Sequence, residues 1–162
     1  MNNNDILRRT RYIFDFNDKA MMALFELGAE PASREQISAW LKKDDDAEGQ
    51  PLADLQLAVF LNGLIVSKRG KREGPPPVPE SRLSNNAILR KFRIALNFKD
   101  EDLLATLQVA GFHISKHELS ALFRKPQHKN YRDCKDQLLR AFLKGLQLQL
   151  RGEESLPVST VA

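Results

Sequence analysis

Apolar residues near the start of the chain recur with a helical period. Ile6, Leu7, Thr10, Ile13 and Phe14 fall at i, i+1, i+4, i+7 and i+8, which lie on one face of a helix. The same register returns in Ile88, Leu89, Phe92, Ala95 and Leu96. Asn4 and Asn86 are of the residue type that caps helix N-termini and are expected to cap these two. A second helix is expected from Asp18 and again from Asp100, with Met21, Met22, Phe25 and Leu103, Leu104, Leu107 turned inward and an end near Gly28 or Gly111. The third opens on Ser33-x-x-Gln36 and Ser115-x-x-Glu118. These are capping boxes, in which the cap residue alone contributes about 1 kcal/mol. Its buried stripe is Ile37, Trp40, Leu41 and their counterparts Leu119, Leu122, Phe123. A fourth, longer helix carries Leu57, Phe60, Leu61, Leu64 and Leu139, Phe142, Leu143, Leu146 at i, i+3, i+4 and i+7. No segment alternates with period two, so the pattern predicts an all-α protein.

The recurrence is a duplication. An offset of 82 residues aligns 3–70 with 85–152 without a gap and gives 21 identical pairs in 68 positions. Between the copies lies Gly74-Pro75-Pro76-Pro77-Val78-Pro79, a run biased to extended polyproline II that cannot continue a helix. The expected organisation is a first helical repeat over 1–72, a Pro-rich spacer over 73–82, a second repeat over 83–152 and a mobile tail over 153–162. Gly63 and Gly145 stand inside the fourth helix, where glycine costs roughly 1 kcal/mol relative to alanine. Keeping that cost twice predicts a close helix approach at both. A four-helix unit of about 70 residues is marginal alone, so the two repeats are expected to pack about a pseudo-twofold axis.

Composition narrows the class. The chain has 162 residues, 25 Lys and Arg against 21 Asp and Glu, and 42% hydrophobic residues. That suits one soluble domain or two small ones. No apolar run approaches the ~18 residues of a membrane span, so no membrane association is expected. The Met-Asn-Asn-Asn opening lacks a basic segment followed by an apolar stretch, and Cys134 is a lone cysteine. Both features predict a cytoplasmic location.

The opening Asn-Asn-Asp-Ile-Leu-Arg-Arg-Thr-Arg-Tyr, the block Phe60-Leu61-Asn62-Gly63-Leu64-Ile65 with Lys68-Arg69-Gly70-Lys71, and the block Pro126 to Arg132 resemble the YehS-like family of uncharacterised bacterial proteins. The resemblance covers nearly the whole chain. It implies a small bacterial cytoplasmic protein carrying a domain of unknown function in tandem duplicate. It brings no catalytic residue with it.

A duplicated chain holds its own control. Polar residues present in both copies serve the shared fold, and residues present in one copy are free for a particular task. Arg8 and Arg11, with twins Arg90 and Arg93, lie at i and i+3 on the first helix, while Asp54 and Asp136 stand near the start of the fourth. The plainer reading is an arginine–carboxylate brace in each unit; the sharper one makes the arginines phosphate contacts.

Charge is distributed unevenly. Residues 1–74 carry 11 basic and 12 acidic side chains, and residues 75–162 carry 14 and 9. The connection Lys42-Lys43-Asp44-Asp45-Asp46-Ala47-Glu48-Gly49-Gln50 of the first copy becomes Arg124-Lys125-Pro126-Gln127-His128-Lys129-Asn130-Tyr131-Arg132 in the second. Arg140, Lys144 and Arg151 follow near one face of the last helix, and only Arg151 has a basic twin. Lysines and arginines here suit phosphate contacts, Tyr131 or His128 stacking, and Asn130 hydrogen bonding. The expected partner is a nucleic-acid backbone, RNA ahead of DNA. The alternative is a protein-interaction or scaffolding module, including a homodimer in which the basic loop meets the acidic one.

Other chemistry is poorly signalled. The helix-turn-helix formed by Asp18 to Lys43, and by its twin, has a long turn and presents Arg34, Glu35, Gln36 and Ser38, a mixed set for base reading. His113 and His117 are four apart but straddle the cap Ser115, so no metal site is expected. Cys134 replaces Leu52 and reads as a small apolar contact. No phosphate loop, nucleophile elbow or carboxylate pair stands out. The expectation is a non-enzymatic protein without a cofactor.

Overall fold

The computed structural model describes residues 1–152; the tail expected over 153–162 lies outside the described residues. The described residues form eight helices and no strand: α1 (Asn3–Phe14), α2 (Asp18–Leu27), α3 (Arg34–Leu41), α4 (Asp54–Arg69), α5 (Asn85–Leu96), α6 (Asp100–Val109), α7 (Lys116–Leu122) and α8 (Asp136–Arg151). The all-α expectation is met, with four helices in each sequence copy. No described helix is long and apolar enough to cross a membrane.

Helix starts follow local chemistry. Ser33 Oγ accepts from Gln36 N–H at 3.0 Å while Gln36 Oε1 accepts from Ser33 N–H at 2.9 Å. Ser115 and Glu118 repeat the box at 3.0 and 2.9 Å. The first helix of each copy is capped elsewhere than at Asn4 and Asn86. Asn2 accepts from Asp5 N–H at 2.8 Å, and Ser84 Oγ accepts from Ala87 N–H at 3.1 Å. Asn4 and Asn86 lie two residues past the caps, within the first turn, and are buried. Asn4 Nδ2 donates to the carbonyls of Trp40 at 2.9 Å and Gln50 at 2.8 Å, and its Oδ1 accepts from Leu52 N–H at 3.0 Å. A cap would leave those loop groups without partners, so the asparagine serves as an internal staple instead.

The chain divides into two compact units, Met1–Asn97 and the segment from Phe98 onward. In the first, the Phe25 ring packs against Trp40 and Phe60 at centroid distances of 5.4 and 5.3 Å, with Leu7, Met21, Leu57 and Leu64 fully buried. Met22, expected inward, is exposed, because the buried stripe of α2 runs through Met21, Leu24 and Phe25. Helix α5, which opens the second sequence copy, packs along α4 within this unit. There Lys91 Nζ donates to Asn62 Oδ1 at 2.6 Å and pairs with Glu80 at 3.1 Å. In the second unit, α6 packs on α7 and α8 around Leu103, Leu107, Leu119, Leu139, Phe142 and Leu146, with Phe98 edge-on to Phe142.

The two in-helix glycines make the predicted close approach. A Cβ on Gly63 would overlap the Leu24 carbonyl of α2, and one on Gly145 would overlap the Thr106 carbonyl of α6. Leu24 and Thr106 are themselves twins at the duplication offset. A backbone carbonyl inside a helix cannot rotate away, so the helices would have to separate. Gly63→Ala and Gly145→Ala should therefore each destabilise their unit by about 3 kcal/mol, the upper end of overpacking costs, as measured by urea denaturation followed by circular dichroism.

Candidate nucleic-acid interface

The connection from α7 to α8 is built on the same frame as that from α3 to α4. Arg132 N–H donates to the Ala121 carbonyl and Gln50 N–H to the Ala39 carbonyl, both at 3.1 Å. His128 N–H reaches the Lys125 carbonyl at 2.9 Å and Tyr131 N–H the His128 carbonyl at 3.0 Å. Asp46 and Gly49 make the matching bonds to Lys43 and Asp46 at 2.9 and 3.1 Å. One side chain staples each loop: Asp46 Oδ1 accepts from Glu48 N–H at 2.8 Å, and His128 Nδ1 accepts from Asn130 N–H at 3.0 Å. His128 thus takes the structural place of an aspartate. That bond assigns the proton of the neutral ring to Nε2.

An identical frame carries opposite charge. In the first loop Asp44 receives Asn2 Nδ2 at 3.3 Å and Arg8 at 3.4 Å. In the second, Lys125 and Lys129 are exposed, as are Arg140 and Lys144 one turn apart on α8, opposite its buried Leu139–Phe142–Leu143–Leu146 face. Among the described residues these four cations have no carboxylate within ion-pair distance. The remaining candidates are less available. Arg132 lies 3.6 Å from Glu118, Arg124 is half-buried, and Asn130 commits its backbone N–H to His128. Tyr131 and Arg151 are half-buried, and neither is free.

The expected brace takes another form. Asp54 meets neither arginine of α1; it accepts from Asn3 Nδ2 at 2.7 Å and from Leu83 N–H at 2.8 Å. Arg8 instead pairs with Asp5 one turn earlier and with Asp44, and donates to the Lys42 carbonyl at 2.6 Å, while Arg11 lies 3.9 Å from Asp18. The first turn of α4 faces the start of α1, beyond the reach of arginines placed further along that helix. Their twins Arg90 and Arg93 are half-buried, and Asp136 opens α8.

Elsewhere the chemistry is quiet. A cleft of about 190 Å³ lined by Phe112, Ile114, Leu122 and Leu138 is crossed by the Arg132–Glu118 pair. It is smaller than the ~300 Å³ at which small-molecule sites begin. Among the described residues no group of three or more His, Cys, Asp or Glu is placed to hold a metal ion. In the α2–turn–α3 element, Gln36 is committed to its capping box and Arg34 lies 3.8 Å from Asp18, which leaves few donors for base edges. Cys134 is buried, and burial, helped by Asp136, pushes its thiol up to about 12. A second cationic group stands in the first copy: Lys68, Arg69, Lys71 and Arg72 are all exposed at the end of α4, and the acidic loop cancels their charge in the balance of that half.

Two similar sequence copies, one carrying cations without a carboxylate partner among the described residues on a loop frame that is acidic in the other, define a duplicated all-α protein. The chain belongs to the family described as protein of unknown function DUF1456, whose model matches it twice, over residues 3–70 and 85–152. It is 47% identical over 147 residues to the uncharacterized protein YehS of Escherichia coli (strain K12), covering 90% of this chain and 94% of that one. No solved structure matches it.

Two outcomes follow from the local chemistry. Hydrogen bonds from the Ser115 backbone and hydroxyl, with Arg132 nearby, hold the Glu118 carboxyl below the usual glutamate range. A depressed carboxylate favours the folded state above its unfolded pKa, and that contribution is lost as pH falls through the folded value. Ser115→Ala should therefore raise the Glu118 pKa in a carbon-detected NMR titration and lessen the acid sensitivity of the second unit. Cys134 should resist iodoacetamide at pH 8 in the native protein and react fully in denaturant, as read by mass spectrometry.

Proposed function

We propose that this protein is a non-enzymatic cytoplasmic binding protein that holds a phosphodiester backbone, RNA in preference to DNA, on the second unit. The observation that carries the reading is the inverted loop. Two copies share one hydrogen-bonded frame and a lysine at Lys43 and Lys125, yet the first fills the frame with Asp44, Asp45, Asp46 and Glu48, where the second has Pro126, Gln127, His128 and Asn130 and gains Lys129 in place of Ala47. The fold does not require that charge, since the same bonds form without it. Lys125, Lys129, Arg140 and Lys144 are exposed and lack carboxylate partners among the described residues, so their charge is available to phosphate oxygens.

A second reading, assembly of two chains through opposite loops, draws on the same inversion. Against it, Asp44 is already shared between Arg8 and Asn2 within its own unit. Sedimentation equilibrium separates the two: assembly requires a dimer that charge reversal at Lys125 and Lys129 splits.

The backbone reading is tested with Lys129→Glu/Lys144→Glu, which spares the Arg132–Glu118 pair. Binding to a labelled single-stranded RNA pool should weaken at least ~10-fold at about 50 mM salt, and the slope of log affinity against log salt should fall by about 1.4. The thermal midpoint should stay nearly unchanged. No retention of RNA or DNA by the wild-type chain at that salt overturns the proposal.

A further inference from the structure

The end of α4 in the first unit has the composition of a second anion-binding surface. Helix α4 stops at Arg69, and Gly70 turns the chain away with φ +88°. Lys68, Arg69, Lys71 and Arg72 thus place four cations within five residues, all exposed. Arg69, Lys71 and Arg72 have no carboxylate within ion-pair distance among the described residues. Lys68 and Arg69 have a structural reason to be there, since cations near a helix C-terminus complement its dipole. Lys71 and Arg72 lie past the helix end, where the dipole gives them no such role.

The second observation is aromatic. Lys68 Nζ sits 5.0 Å from the centroid of the Phe14 ring, and Phe14 stacks on Phe16 with centroids 5.5 Å apart and planes at 18°. Both rings are half-buried at the end of α1. The second copy keeps Arg151 for Arg69 and Phe98 for Phe16 but loses the other four members: Leu96 stands for Phe14, Leu150 for Lys68, and Glu153 and Glu154 for Lys71 and Arg72. Phe14, Lys68, Lys71 and Arg72 therefore belong to the first copy alone, by the same internal control that singles out Lys129 in the second.

We infer that Lys68, Arg69, Lys71 and Arg72, with the Phe14–Phe16 stack beside them, form a second nucleic-acid contact on the first unit, fitted to single-stranded RNA. Clustered cations hold the phosphates. Aromatic rings next to them favour a strand with unpaired bases over an inorganic polyphosphate, because bases stack on aromatic side chains and bare phosphate does not. The inference stands on residues apart from the second-unit surface and does not need that surface to bind.

The test uses the full chain and a fluorescent oligouridylate of about 30 nucleotides, followed by anisotropy across a salt series. Lys71→Glu/Arg72→Glu should weaken binding roughly tenfold at about 50 mM salt and lower the salt slope by about 1.4. Phe14→Leu, the residue that the second copy uses at this register, should weaken oligouridylate binding about threefold and leave inorganic polyphosphate binding unchanged. Circular dichroism melts confirm that both variants are folded. A salt slope unaffected by Lys71→Glu/Arg72→Glu overturns the inference, as does equal sensitivity of the two ligands to Phe14→Leu. The variant Lys129→Glu/Lys144→Glu runs in parallel. If it alone loses affinity, this inference fails and the proposed function stands; if Lys71→Glu/Arg72→Glu alone loses affinity, the converse holds.

Discussion

Each unit depends on one contact in which a helix meets another with no side chain between them. At Gly63 the backbone of α4 lies directly on the Leu24 carbonyl of α2, and at Gly145 that of α8 lies on the Thr106 carbonyl of α6. A glycine in mid-helix is a local cost. It is offset because the short separation lets flanking side chains pack, with Phe60 of one helix against Phe25 of the other and Leu64 and Met21 also fully buried. In the first copy Gly28 makes the reciprocal approach, its α-carbon resting on the Val59 carbonyl. Once this spacing is fixed, the start of the long helix is fixed too, and with it the span that the preceding loop must bridge.

That loop is held by backbone bonds and one accepting side chain, so its conformation is independent of its charge. Asp46 and His128 perform the same act, accepting an N–H two residues on, with chemically different groups. A frame that tolerates both lets surface charge vary at little cost in stability. The Asn4 staple shows the opposite case. Its three bonds leave no latitude, and an asparagine recurs at that register in the second copy, where Asn86 is also buried.

The fold was legible because helical periodicity and capping chemistry are local. The eight helices of the described residues and the two Ser-x-x-Gln/Glu boxes follow from neighbours within a turn or two, and the duplication supplied each reading twice, the mid-helix glycines included. Errors arose where a residue could serve either a local or a distant partner. Asn4 has the right chemistry for a cap, but Asn2 took that place, and only the arrival of the Trp40–Leu52 segment explains why. Met22 sits beside Met21 in sequence, yet one step around a helix turns a side chain by about 100°, enough to leave the buried face. Asp54 had two arginines available at plausible spacing and went to Asn3 and Leu83 instead.

The candidate surface was legible as composition and illegible as availability. Sequence alone determined that the second copy replaces an acidic connection with a basic one, and that the chain is a repeated helical unit, because both are properties of residue identity and order. Tertiary structure decided which cations remain free. Arg132 is drawn to Glu118 across the α7 cleft, Arg124 is half-buried, and His128 is spent as a staple, whereas Lys125, Lys129, Arg140 and Lys144 stay unpaired among the described residues. The physical reason is range. Helix propensity acts over a few residues, but the pairing of a charge depends on which distant carboxylate the packing brings within 4 Å, and only the folded chain sets that distance.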